Sequence, residues 1–218
     1  MYLLKLFHDD LAPGAELDQG VEAQHSIVYI AAGSATVNHE TLEHDGSTYF
    51  EDFATIRAGD DGATIWRWEL APATDPLSLL SGEGVRSRLC MSRGVKMFEL
   101  VPTSKWLFRL DCIEGFQGST GLHSHPGSGI RCLLDGHLRA ESDKGEDSDN
   151  RTRGDVWYEE GSYPLVSTVD PGIKTTFLRG MVLPPEYTKF GDTALFIEGS
   201  RATIDGWKGY AQAVVTLR

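Results

Sequence analysis

Two histidines separated by one residue, His123 and His125, have the clearest capacity for chemistry in this sequence. Side chains alternate between the faces of an extended strand, so residues two apart point the same way. Two imidazole nitrogens on one face can begin a site for Zn, Ni, Fe or Mn. This is the one His-x-His pair among the seven histidines of the chain. We therefore expect His123 and His125 to be metal ligands.

A stable metal site usually needs a third protein ligand beside such a pair. The sequence offers several oxygen-bearing side chains nearby, namely Glu160, Glu159, Tyr163 and Ser128. Glu160 is the residue that we assign to this role, and the alternative for both glutamates is simple exposure to solvent. A site with two histidines alone would hold its metal weakly and would fill the other positions with water or ligand.

Arg131 supports a second interpretation of the same region. If residue 129 faces the interior, strand alternation directs Arg131 inward as well. A buried guanidinium is costly without a partner, so it needs a carboxylate or an anionic ligand. Arg131 could clamp a small carboxylate through two parallel hydrogen bonds. The alternative is a structural ion pair with Asp135 or Glu160.

Composition narrows the partners of the chain. Its 218 residues include 20 Lys and Arg against 32 Asp and Glu, a formal net charge of −12. Phosphate backbones and anionic lipids repel such a chain, so we expect neither nucleic acid nor a membrane as partner. Three widely spaced cysteines form no disulfide framework. The first ten residues are too short and too charged for a signal peptide, so we expect a cytoplasmic location.

The pattern along the chain predicts an all-β fold. Short runs rich in β-branched and aromatic residues recur between Gly, Asp and Pro signals. We predict strands at 26–32, 63–70, 106–113, 130–135, 175–183, 194–197 and 211–217, with turns at Asp45-Gly46, at 59–62 and at Asp135-Gly136. The outline repeats after about 100 residues, which suggests a duplicated β unit. We place the two domains at 1–80 and 81–218.

The segment around the histidine pair resembles the first motif of the cupin family. That motif is a glycine, His-x-His, a glutamate and a final glycine, and His123, His125 and Gly136 match it. The position of the glutamate holds Gly129. The resemblance implies a barrel whose interior receives both imidazoles.

The second cupin motif, Pro-x-Gly-x-x-His, is matched at Gly161, while Pro164 stands at the histidine position. Residues 154–184 are similar to a group of uncharacterised cupin-domain proteins that also carry this proline. The first half resembles a cupin in outline alone, because its ligand positions hold no histidine pair. The resemblance thus implies a bicupin: two double-stranded β-helix (jelly-roll) barrels, the first degenerate, in a protein that forms a homodimer.

Three classes of function follow from these patterns. The first is a metal-assisted enzyme, of dioxygenase, isomerase or decarboxylase type, that acts on a small carboxylate. The second is a metal-free protein that binds a small carboxylate or sugar acid. The third is a structural or regulatory bicupin with a decayed site. In the first two classes we expect Arg131, Tyr163 and Trp157 to contact the small molecule, with a place in the apolar core as the alternative for Trp157.

Overall fold

The computed structural model describes residues 1–95, 105–142, 148–191, 193–197, 199–200 and 205–217. All regular elements in these residues are β-strands, which confirms the all-β prediction. The same residues include no helix with the length and apolarity of a membrane span. The chain divides into two compact units, Met1–Gly94 and Val95–Arg218, whereas the sequence analysis places the division after residue 80.

The first unit is one six-stranded antiparallel sheet. Its strands are β1 (Tyr2–Leu11), β2 (Val21–Val37), β3 (Glu40–Glu43), β4 (Ser47–Ala54), β5 (Ile56–Pro72) and β6 (Val85–Gly94). They follow the order β3-β2-β5-β1-β6, and β4 also pairs with β2. The predicted turn at Asp45-Gly46 connects β3 to β4, where the Gly46 amide donates to the Glu43 carbonyl at 2.8 Å.

The second half of strand β5 is buried on both faces. Ile65 and Arg67 lie on one face and Trp66 and Trp68 on the other, and each is less than 5% exposed. The Arg67 guanidinium is paired with the equally buried Asp9, with 2.8 Å between Nε and Oδ2. The predicted turn at 59–62 is wrong: these residues lie within β5, which keeps its pairing with β2 through register shifts. A bulge absorbs the glycines without ending the strand.

The second unit contains two five-stranded antiparallel sheets, β11-β10-β13-β8-β15 and β12-β9-β14-β7-β16. Their strands are β7 (Lys105–Phe116), β8 (His123–Ser124), β9 (Gly129–Asp135), β10 (Leu138–Ser142), β11 (Ser148–Arg151), β12 (Val156–Glu159), β13 (Leu165–Thr168), β14 (Thr175–Leu183), β15 (Leu195–Phe196) and β16 (Trp207–Thr216). The predicted strand at 175–183 has the observed bounds of β14.

An apolar cluster joins the two sheets of the second unit. Ile113, Leu133 and Phe177 come from one sheet, and Leu138 comes from the other. Alternating apolar residues on facing strands produce such a core between packed sheets. Beside this cluster, the interior of the second unit also holds buried charged and polar side chains. These polar residues form the candidate site.

Candidate functional site

The two histidines lie side by side inside the second unit. His123 is on β8 and His125 follows it, with 4% and 6% of their surfaces exposed. Their ring centroids are 4.8 Å apart in an edge-to-face arrangement. Strand β8 is anchored on both sides, because His123 pairs with Leu165 of β13 and with Phe196 of β15.

Neighbouring backbone and side-chain groups contact both rings. Nδ1 of His123 is 2.9 Å from the carbonyl oxygen of Gly121. Nδ1 of His125 is 3.2 Å from the carbonyl oxygen of Thr193 and 3.4 Å from its hydroxyl. The amide of His125 donates to the Gly161 carbonyl at 2.8 Å. The glycine of the second cupin motif thus supports one of the histidines of the first.

Arg131 is fully buried on β9, and its partner is Glu159 of β12. Its Nη2 lies 2.6 Å from Oε2 of Glu159, and its Nη1 donates to the Gly129 carbonyl at 2.6 Å. The partners expected from the sequence for a structural ion pair are Asp135 and Glu160. In the structure the ion pair is formed with Glu159 instead. Glu159 lies directly across the sheet from Gly129. The cupin motif carries a glutamate at the position of Gly129. Here the carboxylate comes from the neighbouring strand β12, directly opposite that position.

Gly129 leaves the space that the Arg131 guanidinium uses. A Cβ atom at position 129 would lie 2.6 Å from Nη1 of Arg131 and 2.8 Å from the Gly180 carbonyl oxygen. Both distances are shorter than van der Waals contact. A side chain at position 129 would therefore displace the Arg131 guanidinium and collide with the backbone of β14.

Glu159 connects the guanidinium to a histidine and to an indole. Its Oε2 is 3.3 Å from Nε2 of His125, and its Oε1 accepts a hydrogen bond from Nε1 of Trp157 at 2.8 Å. Burial alone would raise the pKa of Glu159, but Arg131 and the His125 hydrogen bond hold that pKa well below its usual range. Glu159 is therefore a carboxylate at neutral pH.

His125 is neutral at neutral pH. Burial lowers its pKa to about 4, and the hydrogen bond to Glu159 opposes this shift without cancelling it. Because the carboxylate is the stronger acceptor, the proton of the neutral ring is assigned to Nε2. Nδ1 then carries a lone pair that accepts from the Thr193 hydroxyl, and its 3.2 Å contact with the Thr193 carbonyl oxygen is not a hydrogen bond. Burial also lowers the pKa of Arg131, against the opposing charge of Glu159.

A second buried ion pair continues this network. Arg179 of β14 binds Asp111 of β7 through two hydrogen bonds of 2.7 and 2.9 Å. Its Nη1 also donates to the Thr193 hydroxyl at 3.3 Å, and its guanidinium lies 4.4 Å from the ring centroid of Trp207. Polar contacts therefore run without interruption from Asp111 to Arg131 by way of Thr193, His125 and Glu159.

These groups border a small space, which we term the inner cavity. Its volume is about 20 Å³, and it is lined by Ile113, Thr120, His123, His125, Arg131, Glu159, Ser167, Phe177, Arg179 and Trp207. Its wall contains two guanidinium groups and one carboxylate. Apolar rings cover another part of the wall. At this volume the cavity admits about one water molecule, and a larger occupant would displace wall side chains while meeting polar groups on one side and apolar rings on the other.

A second space, the outer cavity, has a volume of about 50 Å³ and is lined by Ala140, Glu141, Ser142, Arg151, Trp157, Tyr158, Glu159, Glu160, Tyr163 and Leu165. Two of the predicted substrate contacts, Trp157 and Tyr163, therefore lie here, while Arg131 lines the inner cavity. Glu160 also lies here, with Oε1 accepting from Ser162 at 3.1 Å. Glu159 belongs to the walls of both cavities.

The sequence reasoning missed Asp111, Thr193 and Arg179 as parts of the site. A usable signal existed for two of them. Asp111 and Arg179 each interrupt an apolar run that was predicted as a strand, and a buried charge in a strand needs an opposite charge nearby. Thr193 had no such signal, because its role depends on how the chain returns to β8.

The donor set does not fit a divalent metal ion as it stands. Within the described residues, no three His, Cys, Asp or Glu side chains are grouped as a metal site requires. Oε2 of Glu159, the oxygen nearest His125, is in contact with the Arg131 guanidinium. A metal ion there would lie against a buried cation.

No protein-family model and no curated protein matches the chain. Several solved structures resemble it. The formate complex of the Lactobacillus farciminis oxalate decarboxylase has 15% sequence identity and a TM-score of 0.57, over 83% of this chain and 77% of that one. A serine-to-alanine mutant of the Bacillus subtilis oxalate decarboxylase has 12% identity and a TM-score of 0.61, over 88% and 71%.

A third similar structure concerns the Mn(II) centres of the Bacillus subtilis oxalate decarboxylase. It has 13% identity and a TM-score of 0.60, over 88% of this chain and 71% of that one. Likeness at such low identity establishes the fold alone. The chain therefore shares its fold with the oxalate decarboxylases, which are cupin proteins.

Proposed function

We propose that the second unit binds a small carboxylate in the inner cavity, without a metal ion, and that Arg131 is its anchor. One observation carries the proposal. The Arg131 guanidinium is fully buried in the cavity wall, and its Nε has no hydrogen-bond acceptor among the described residues. A buried donor without an acceptor costs about 1–3 kcal/mol. A carboxylate oxygen of the ligand would satisfy this donor.

Charge on the cavity wall favours an anion. Arg131 and Arg179 contribute two positive charges and Glu159 one negative charge, while His125 is neutral. Asp111 balances Arg179 from behind and is absent from the lining residues. An anionic ligand would therefore neutralise the excess positive charge on the wall.

The other side of the inner cavity favours a short carbon skeleton. Ile113, Phe177 and Trp207 provide apolar contacts, and a cavity volume of about 20 Å³ admits few atoms. One of the similar oxalate decarboxylase structures contains formate, which is the smallest carboxylate. The ligand class that we propose is accordingly a mono- or dicarboxylate with a short carbon chain.

A metal-assisted reaction on the same kind of acid is the second candidate function. The observation that favours it is the pair of adjacent buried imidazoles beside the Glu159 carboxylate. A similar structure is described by its Mn(II) centres. In that case a metal ion would supply Lewis-acid chemistry, and His123 and His125 would hold it.

Titration of the protein with formate, acetate, oxalate and malonate, before and after EDTA treatment, distinguishes the two candidates. We expect at least one acid to raise the melting temperature of the metal-free protein, and Arg131→Gln to abolish the effect. Arg139→Gln is the matched control, because Arg139 is an exposed arginine of the same unit. Acid binding that disappears with EDTA and returns with Mn²⁺ would instead support the metal-assisted enzyme.

A second variant covers the case in which Arg131→Gln does not fold. Ser167 lines the inner cavity, and Ser167→Thr places one additional methyl group in the space while Arg131 stays in place. We expect this variant to fold and to lose the acid-induced shift. If it keeps the full shift, the acid binds elsewhere and the proposal is wrong.

Three expectations from the sequence belong to this proposal as well. Each unit is a cupin barrel of which only the second carries a site, the protein is a homodimer, and it works in the cytoplasm. Light scattering coupled to size-exclusion chromatography tests the dimer: a mass of about 48 kDa, twice the 24.0 kDa of the chain, is expected.

A further inference from the structure

Five charged side chains meet in the interior of the second unit, and their charges do not cancel. Three of them are arginines, Arg109, Arg131 and Arg179, each at most 2% exposed. Within the described part of the chain, two carboxylates lie at ion-pair distance from them, Asp111 and Glu159. A guanidinium keeps its charge at every physiological pH. Even with both carboxylates ionised, this group, which we term the arginine cluster, has one positive charge in excess.

The excess arises at Asp111, because two guanidinium groups share its carboxylate. Its Oδ2 lies 2.7 Å from Nη2 of Arg109, and its Oδ1 lies 2.7 Å from Nε of Arg179. Nη1 of Arg109 donates to the carbonyl oxygens of Tyr187 and Lys189 at 3.2 and 3.1 Å. These carbonyls accept hydrogen bonds without supplying a negative charge. Since a buried charge without a counter-charge is costly, the cluster favours the binding of one further anion.

We propose that the inner cavity binds one halide ion, chloride in ordinary salt solution, as the missing counter-charge of the arginine cluster. The ion accepts the hydrogen bond that Nε of Arg131 has to offer. The inference rests on the same buried arginine as the proposed function, but it does not require any acid to bind there.

Size favours a halide over other small anions. The inner cavity has a volume of about 20 Å³, which is room for about one water molecule. A chloride ion is a single atom only slightly larger than water, so it fits this space with small shifts of the wall. Even the smallest carboxylate is a group of several atoms and has to displace wall side chains. A water molecule would fit as well, but it would leave the excess charge in place.

The cavity wall also supplies hydrogen-bond donors for an anion. Nε of Arg131 is buried and has no acceptor among the described residues. Arg179 brings a second positive charge to the wall, and Ser167 brings a hydroxyl group. Glu159 is the one carboxylate among the lining residues, and its Oε2 lies 2.6 Å from Nη2 of Arg131. Its charge is therefore already compensated, whereas the second guanidinium shares its counter-charge.

The test compares sodium chloride and sodium bromide with sodium methanesulfonate at equal concentration, on protein dialysed free of halide. Methanesulfonate has the same charge but is too large for the cavity, so it controls for ionic strength. We expect chloride and bromide to raise the melting temperature of the wild type above its value in methanesulfonate. Arg131→Gln should abolish this difference, and Arg139→Gln, at an exposed arginine of the same unit, should keep it. Equal shifts with all three salts would overturn the proposal.

Anomalous scattering from crystals grown in sodium bromide locates the ion. We expect one bromide ion per chain beside Nε of Arg131. A bromide ion found there without a halide-specific shift in solution would be an adventitious ion only, and the proposal would be wrong. A halide-specific shift in solution without bromide in the inner cavity would overturn it as well.

A second variant keeps the proposal testable if Arg131→Gln does not fold. Ser167→Thr adds a methyl group whose size is comparable with the space and leaves every charge unchanged. We expect this variant to fold and to lose the halide-specific shift. Ser142→Thr is the matched control, because Ser142 lines the outer cavity instead. A Ser167→Thr protein with the full halide-specific shift would mean that the ion binds elsewhere.

These outcomes are separate from those of the proposed function, because the acids are titrated in halide-free buffer and the halides without any acid. A halide-specific shift in a protein that binds no acid would refute the proposed ligand and support this inference. Acid binding without a halide-specific shift would do the reverse. If both bind, they compete for Arg131, and chloride at roughly ten times its own dissociation constant should weaken acid binding about tenfold.

Discussion

Arg131 and Arg179 are direct cross-strand partners on β9 and β14, yet the two guanidinium groups contact different carboxylates. Arg131 is paired with Glu159, and Arg179 shares Asp111 with the buried Arg109. Two neighbouring buried cations are compatible with folding because each has its opposite charge within 3 Å. The interior of the second unit therefore depends on both carboxylates.

Neutralising one carboxylate should destabilise the second unit strongly. Glu159→Gln leaves the Arg131 guanidinium buried without its counter-charge, and we expect a loss of roughly 3–5 kcal/mol in the free energy of unfolding. Urea unfolding followed by tryptophan fluorescence measures this loss. Glu186→Gln, which changes an exposed glutamate of the same unit, should have almost no effect. A Glu159→Gln protein as stable as this control would show that the ion pair is energetically unimportant.

Stability should fall as the pH is lowered from about 6.5 to 4, because of His125. The pKa of His125 is lowered by burial from 6.5 to about 4. The stabilisation from keeping the ring neutral is therefore complete above pH 6.5 and is lost as the pH falls through the folded-state pKa. At about 1.4 kcal/mol per pKa unit, the full loss is roughly 3 kcal/mol.

Glu159 adds to this dependence in more acidic solution. Its pKa is held below the usual range, so its contribution is present above the pKa of an unfolded glutamate and declines below it. Urea unfolding at several pH values checks both groups. Between pH 6.5 and 4, His125→Gln should show a flatter dependence than the wild type, while His44→Gln, at an exposed position, should follow the wild type. Parallel curves for wild type and His125→Gln would contradict the assignment.

Gly129→Ala should be destabilising because of Arg131. The added methyl group would lie 2.6 Å from Nη1 of Arg131 and 2.8 Å from the Gly180 oxygen and from Cγ of Met181. We expect a cost of about 1–3 kcal/mol in the wild-type background. In an Arg131→Met background one of these contacts disappears, so the cost should drop by at least about 0.5 kcal/mol. A double-mutant cycle measures the coupling, and additive effects would show that residues 129 and 131 are independent.

Gly161→Ala should disturb the histidine site as well as the fold. Gly161 has φ +100° and its carbonyl accepts from the His125 amide, while an added Cβ would collide with the Gly127 backbone. Gly154→Ala is the matched control, because Gly154 has φ +89° and open space around its Cα. Both substitutions strain the backbone by about 1–3 kcal/mol. We expect Gly161→Ala alone to shift the ¹H–¹⁵N signal of His125, and identical spectra at His125 would contradict this.

The β-strands that surround the site could be predicted from sequence because their evidence is local. Apolar runs between turn residues mark β7, β9 and β14. Alternation also places Arg131 inward. The turn predicted at 59–62 shows the limit of local signals, because pairing of β5 with the long strand β2 overrides a glycine-rich segment that would form a turn by itself.

The partner of Arg131 required tertiary information. Glu159 and Glu160 are adjacent in sequence, and one lies beside His125 while the other lines the outer cavity and accepts from Ser162. Trp157 indicates which of the two glutamates faces the interior. It is buried two positions before Glu159, and residues two apart on a strand share a face. Glu159 lies opposite Gly129 because β12 pairs with β9. The spacing of residues within either strand does not show which residues will be cross-strand partners.

The position of Glu159 in the walls of both cavities has a consequence for ligand size. The carboxylate lies between spaces of about 20 and 50 Å³. Arg131, His125 and Trp157 all hold it, so displacing it to join the two spaces would break a buried ion pair and two hydrogen bonds. A molecule that spans both spaces would have to replace those contacts, which favours ligands short enough to stay on one side of this carboxylate.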